Sequence, residues 1–139
     1  MVCAMNAGQL AEEWIIAMNA HDVERMAASL AEDAVGDEVA EPETRIGRDK
    51  IADGYREVFA GYPDCTAEIL NRVIGDDQAV VEVKFKGINK GAFRGTPATN
   101  KPIDLRIAYI IKARQSKIER ITEYYDLVTL LTQQGMMPK

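Results

Sequence analysis

Residues 121–135, ITEYYDLVTLLTQQG, change period within the stretch. Up to Tyr124-Tyr125 the pattern alternates as a strand does. From Leu127 the apolar positions Leu127, Leu130 and Leu131 recur at helical spacing. Between the two periods stands a single carboxylate, Asp126, which has two readings on sequence. It is the N-cap of a closing helix, a role aspartate fills well, or the acid/base group of a pocket at the end of a strand.

Upstream of this junction the chain divides into a helical part and a strand part. Leu10, Trp14 and Ala17-Met18 predict an amphipathic helix from Gly8 to about Ala20. Asp22 caps a second helix through Leu30, with Met26 and Leu30 on its apolar side. A short strand is expected near Ala34 to Ala40. A third helix starts at Asp49, carries Ile51, Tyr55, Val58 and Phe59, and closes at Gly61. From Thr66 the pattern turns to strands: Thr66 to Ile74, Ala79 to Ile88, Ile103 to Lys112 and Lys117 to Tyr125. Gly91 to Pro102, rich in Gly, Thr, Pro and Asn, reads as a loop. Three helices followed by an antiparallel meander predict an α+β domain with helices on one sheet face.

The 139 residues fit one domain, 1–139. A formal net charge of -5 argues against a nucleic-acid partner. No apolar run approaches the ~20 residues of a membrane span, and the N-terminus lacks the pattern of a secretory signal. Cys3 and Cys65 are isolated thiols without metal-ligand spacing, which fits a reducing cytoplasm and no metal site. Lys84, Lys86 and Lys90 read as a solvated strand edge, and His21 as a structural residue in a helix–helix turn.

With Arg114-Gln115 as a two-residue turn, the last hairpin sets Arg106 opposite Glu123 and Ala108 opposite Ile121. Both hairpin faces carry apolar residues, with Ile110 on the side of Ala108. Either face can meet the helices, and the other would meet a second copy, so a homodimer through the sheet is expected. Arg106 and Glu123 then form either a pocket pair or a surface pair worth less than about 1 kcal/mol. Glu38 is either a solvated strand-edge residue or a pocket carboxylate. Trp14, Met18, Tyr55, Phe59 and Tyr125 are core or pocket wall.

The order of elements, with Tyr62-Pro63-Asp64, Gly95-Thr96-Pro97-Ala98-Thr99-Asn100-Lys101, Lys117-Ile118 and Asp126 nine residues before Gly135, resembles the SnoaL-like polyketide cyclases. These belong to the nuclear-transport-factor-2-like superfamily. The resemblance implies a cone-shaped curved sheet wrapped around three helices, with a pocket between. It also implies cofactor-independent acid/base chemistry on a small hydrophobic oxygenated molecule. Asp126 would be the acid/base group, and Arg106 would polarise the substrate oxygen. Trp14, Met18, Glu38, Tyr55, Phe59, Ala108, Ile110, Ile121, Glu123 and Tyr125 would line the pocket. The chain departs from the family at the histidine expected on the preceding strand, because its single histidine is His21. Similarity to ketosteroid isomerase, laid over the first 60 residues, sets that family's general base at Glu38 and a pocket tyrosine at Tyr55, and puts Trp14 and Ala108 where its two oxyanion donors stand. The reading from another functional class is a non-catalytic small-molecule-binding dimer on the same fold.

Overall fold

The computed structural model describes residues 4–137, so Cys3 lies outside the described residues. Helix α1 (Ala7–Asn19) opens on a capping box in which Asn6 and Gln9 satisfy each other's backbone N–H groups. Helix α2 (Val23–Ala28) is capped by Asp22. Strand β1 (Leu30–Glu38) begins four residues earlier than the alternation suggests. A two-residue strand, β2 (Arg45–Ile46), follows and was not legible in the sequence. Helix α3 (Arg48–Gly61), strands β3 (Thr66–Ile74), β4 (Gln78–Ile88), β5 (Pro102–Arg114) and β6 (Lys117–Tyr124), and helix α4 (Leu127–Gln134) complete the chain.

The six strands form one sheet in the order β2-β1-β6-β5-β4-β3. Every pair is antiparallel except β1 and β6, which run parallel. That parallel pair needs a long crossover, and most of the chain supplies it. Consequently Glu38, at the end of β1, lies beside Glu123 near the end of β6.

The inner face is fixed by β4 and β5. Ala79, Val81, Val83 and Phe85 alternate inward on one strand, and Ile103, Leu105, Ile107, Tyr109 and Ile111 on the other. Trp14, Met18 and Leu10 of α1 close this face, together with Met26 and Ile51. Arg106, exposed, and Ala108 and Ile110, half-buried, are on the opposite, outer face.

The hairpin register differs from the sequence expectation. The tight turn is Gln115-Ser116, not Arg114-Gln115, and both residues have positive φ, 51° and 64°. Tyr109 faces Glu123, and Ala108 faces Tyr124. Near the turn Ala113 pairs with Ile118, whereas Lys112 pairs with Arg120, so Glu119 is the extra residue of a β-bulge. Before the bulge Ile118 points inward, and beyond it Ile121 and Glu123 do. A shift of one residue exchanges the faces of a strand. The expected Arg106–Glu123 pair therefore does not form, and Glu123 stands on the inner face with Arg106 on the outer one.

Positive φ at both central residues is the geometry that Asn-Gly adopts most readily. Replacing Gln115-Ser116 by Asn-Gly should stabilise the protein by about 1 kcal/mol, read as a higher urea midpoint at unchanged slope.

Candidate functional site

The inner face, α3 and the β4–β5 connection enclose a cavity of about 60 Å³. This is space for about two waters. Its walls are largely apolar and aromatic: Val58, Phe85, Ile103, Leu105, Ile107 and Leu130, with Tyr55, Tyr62, Phe93 and Tyr109. One end is charged, and there Glu38, Glu123, Arg45, Arg94 and Tyr125 meet.

Glu38 is held from three sides. The Arg94 guanidinium donates to both its oxygens, at 3.0 and 3.1 Å. The Tyr125 hydroxyl donates to Oε2, and Arg45 approaches Oε1 at 3.5 Å. Arg45 reaches this position because α3 has no side chain at Gly54, where a Cβ would come 2.6 Å from its Nη1. Arg94 is further bound by Glu41 at 2.6 Å and Glu57 at 3.2 Å. Burial alone would push the Glu38 carboxyl up. The charges and hydrogen bonds of Arg94, Tyr125 and Arg45 outweigh it and hold Glu38 below the usual carboxylate range.

Glu123 has the opposite environment. Burial, followed by the neighbouring Glu38 charge, pushes its carboxyl up to about 8. A hydrogen bond with Tyr109 and then the charges of Arg94 and Arg45 counter this only in part. Glu123 is therefore protonated at pH 7 and able to donate, while Glu38 is ionised and able only to accept. Nearby, Tyr109 is buried and Tyr55 half-buried, and their hydroxyls are held well above the ordinary tyrosine range by desolvation and the nearby carboxylates. Trp14 lies edge-on to Tyr55, with ring centroids 5.2 Å apart and its indole N–H without a protein partner.

Of the residues expected at the pocket, the fold brings Glu38, Tyr55, Glu123 and Tyr125 together around this cavity. Ile121 lines a smaller adjoining space of about 30 Å³ that Glu38, Tyr55 and Glu123 also border. Trp14 and Met18 are core residues, and Phe59 stacks on His21 with ring centroids 4.7 Å apart. None of the three lines the cavity wall.

Asp126 and Arg106 are placed away from the site. Asp126 is exposed and caps α4, accepting from the Val128 N–H at 3.0 Å and the Thr129 hydroxyl at 2.9 Å. Those bonds hold its carboxyl below the ordinary value, not above it. Arg106 lies on the outer face opposite Lys84, because Leu105, Ile107 and Tyr109 take the inner face of β5.

Sequence reading missed Arg45 and Arg94. Arg94 lies in a loop and Arg45 in a two-residue strand, where no periodicity marks a direction. His21 joins the α1–α2 turn to β3, with Nε2 at 2.7 Å from the Cys65 carbonyl oxygen and 3.5 Å from Cys65 Sγ. Burial pushes the Cys65 thiol up to about 12, so it is not a nucleophile. Among the described residues no group of three or more potential metal ligands occurs.

A family model for SnoaL-like polyketide cyclase matches residues 8–134. The chain belongs to the SnoaL-like polyketide cyclase family. A SnoaL-like polyketide cyclase structure from Jannaschia sp. CCS1 covers 99% of both chains at 14% identity, with a TM-score of 0.83. A structure from Xanthomonas campestris pv. campestris, assigned as a polyketide cyclase, reaches the same TM-score at 25% identity, covering 91% of this chain and 95% of the other. A protein of ketosteroid isomerase-like fold from Catenulispora acidiphila, solved with trimethylamine, is 20% identical over 95% of this chain and 96% of its own, with a TM-score of 0.80. Comparison with curated proteins finds no match. The fold is thus the nuclear-transport-factor-2-like α+β fold, a curved, unclosed six-stranded sheet with four helices. No helix is long and apolar enough to cross a membrane among the described residues.

The raised Glu123 group has a consequence for stability. A carboxyl whose folded pKa exceeds its unfolded value binds a proton longer in the native state, so stability falls as pH rises between the two values. Urea unfolding should show decreasing stability from about pH 4.5 to about pH 8. The limiting slope from this one group is about 1.4 kcal/mol per pH unit. Glu123→Gln should remove that fall and leave the variant the more stable protein at pH 9. An unchanged slope in the variant would mean that Glu123 is ionised at neutral pH.

Proposed function

We propose that this protein is an acid/base enzyme of the polyketide-cyclase type, working on a small hydrophobic oxygenated substrate. The observation that carries this reading is the pair Glu38 and Glu123. They are two carboxyl groups on neighbouring strands whose environments drive their pKa values apart. Glu38 takes a proton from the carbon alpha to a carbonyl. Glu123, protonated, donates a hydrogen bond to the enolate oxygen as charge develops there and keeps its proton. The enolate carbon attacks a second carbonyl carbon of the same molecule, closing a ring. The new alkoxide recovers the proton held on Glu38, and the balance needs no redox cofactor or metal. The family membership and the apolar walls support this reading.

The reading is tested with a simple carbon acid, 1-phenyl-1,3-butanedione. Its methylene exchange in D2O should be accelerated by the chelator-treated protein. Glu38→Gln should lower the protein-dependent rate about 10²-fold to 10⁴-fold, the usual worth of a positioned general base. Activity should fall at low pH as Glu38 protonates, below the ordinary carboxylate range, and at high pH near 8 as Glu123 ionises. Exchange equal in the unaltered protein, in Glu38→Gln and in buffer would sink the proposal.

A second reading keeps the cavity and removes the chemistry: a small-molecule-binding protein. The aromatic rings that line the cavity suit a small organic cation, in line with the trimethylamine in complex with the Catenulispora protein. Saturable binding of trimethylammonium by calorimetry, with no exchange activity, would select it.

We further propose a homodimer through the outer sheet face. Tyr124 is 47% exposed there, and Ala108 and Ile110 are only half covered. Sedimentation equilibrium at micromolar concentration should give twice 15.4 kDa, and a mass of 15.4 kDa would refute it.

A further inference from the structure

One wall of the narrow cavity is a turn that the preceding chemistry does not use. Residues Phe93 to Thr96 form a tight turn whose two backbone bonds are reciprocal, from Phe93 N–H to Thr96 O at 2.9 Å and from Thr96 N–H to Phe93 O at 3.0 Å. Arg94 and Gly95 occupy its centre with φ of 47° and 83°. A Cβ at Gly95 would meet nothing within 4 Å, so the tip stands in open space. Both Phe93 and Arg94 line the cavity.

The turn is attached in two unlike ways. At its root, buried Asn89 donates to the Gly61 and Gly91 carbonyls and accepts from the Thr99 N–H. The backbones of Asn89, Asn100 and Lys101 also bond across the root. At its tip, the polar attachment is the Arg94 side chain, 18% exposed, which spans Glu38, Glu41 and Glu57. The Phe93 ring adds an edge contact to Tyr62 at 5.4 Å. A fixed root and a tip held by two side chains, Arg94 and Phe93, make a hinged segment.

We propose that the Phe93–Thr96 turn is a latch on the cavity. Arg94 clamps Glu38 while the cavity is closed, and ligand entry withdraws Arg94 and releases Glu38. This rests on the reading of Glu38 as the base, and it adds a coupling between entry and reactivity. With about 60 Å³ available, a ring-forming substrate cannot enter while Arg94 and Phe93 hold their places. When Arg94 leaves, Glu38 keeps Arg45 and the Tyr125 hydroxyl beside it, and still faces Glu123, Tyr55 and Tyr109. Having lost its strongest cationic partner, it becomes the better proton acceptor. A weak, clamped carboxylate therefore turns into a competent base only when the site is occupied. Arg94 is a positioning residue in this scheme.

The test uses Arg94→Gln in the full-length protein, with three readouts. Hydrogen exchange of residues 91–96 should rise while that of the β4–β5 ladder stays unchanged. The association rate of 2-naphthol, followed by its own fluorescence in stopped flow, should increase at least about tenfold. The Glu38 carboxyl, followed by carbon-13 NMR, should titrate at higher pH than in the unaltered protein. Glu41→Gln combined with Glu57→Gln removes the rim ties and keeps the Glu38–Arg94 pair. It should give the same changes in exchange and association at smaller size, and it carries the test should Arg94→Gln not fold. Unchanged exchange and association in the variants that fold overturn the latch. The base assignment fails separately: if the turn opens in Arg94→Gln but Glu38→Gln retains methylene exchange, the latch stands and Glu38 is not the base.

Discussion

Two carboxyl groups set side by side against an apolar wall cannot both remain charged, and the site is organised around how Glu38 and Glu123 resolve this. The parallel pairing of β1 with β6 makes them neighbours. Two arginines and a tyrosine hydroxyl collect on Glu38 and keep it ionised. Glu123 is left with less compensation and keeps its proton. The result is an acceptor and a donor a strand's width apart, which is what enolate chemistry requires.

The same constraint explains features that lie at some distance from the pair. Gly54 stands inside α3, where alanine is the better helix former, because the Arg45 guanidinium occupies the space a side chain would need. Arg94 holds a left-handed backbone conformation in an exposed turn, and its side chain is drawn back into a carboxylate cluster. Glu41 and Glu57, at the rim, share the charge of Arg94 and extend the network from the buried pair to the surface. A buried charge network of this kind is costly to leave half satisfied, and it ties the loops to one arrangement.

The bulge at Glu119 has the widest effect for its size. It turns β6 over, so that Ile118 on one side and Ile121 and Glu123 on the other all face inward. Without it, Glu123 would face the outer surface with Arg106, and the inner face would hold one carboxylate in place of two. A single additional residue in one strand thus supplies the donor half of the site.

The sequence alone determined the helices, the meander, the family resemblance and the closing strand-to-helix junction, because periodicity and caps are local properties. The aspartate at that junction was legible as a cap, and as a cap it serves, bonded to Val128 and Thr129. Glu38, Tyr55, Glu123 and Tyr125 could also be named from the chain as pocket lining, although not the partners each has there. Tertiary structure decided which hairpin face is inner, since both faces carry apolar residues and the bulge leaves no compositional trace. It alone brought Arg94 to Glu38 across 56 residues of sequence. No spacing rule operates over such a separation; only the folded arrangement of β1 and the Phe93–Thr96 turn brings the two charges into contact.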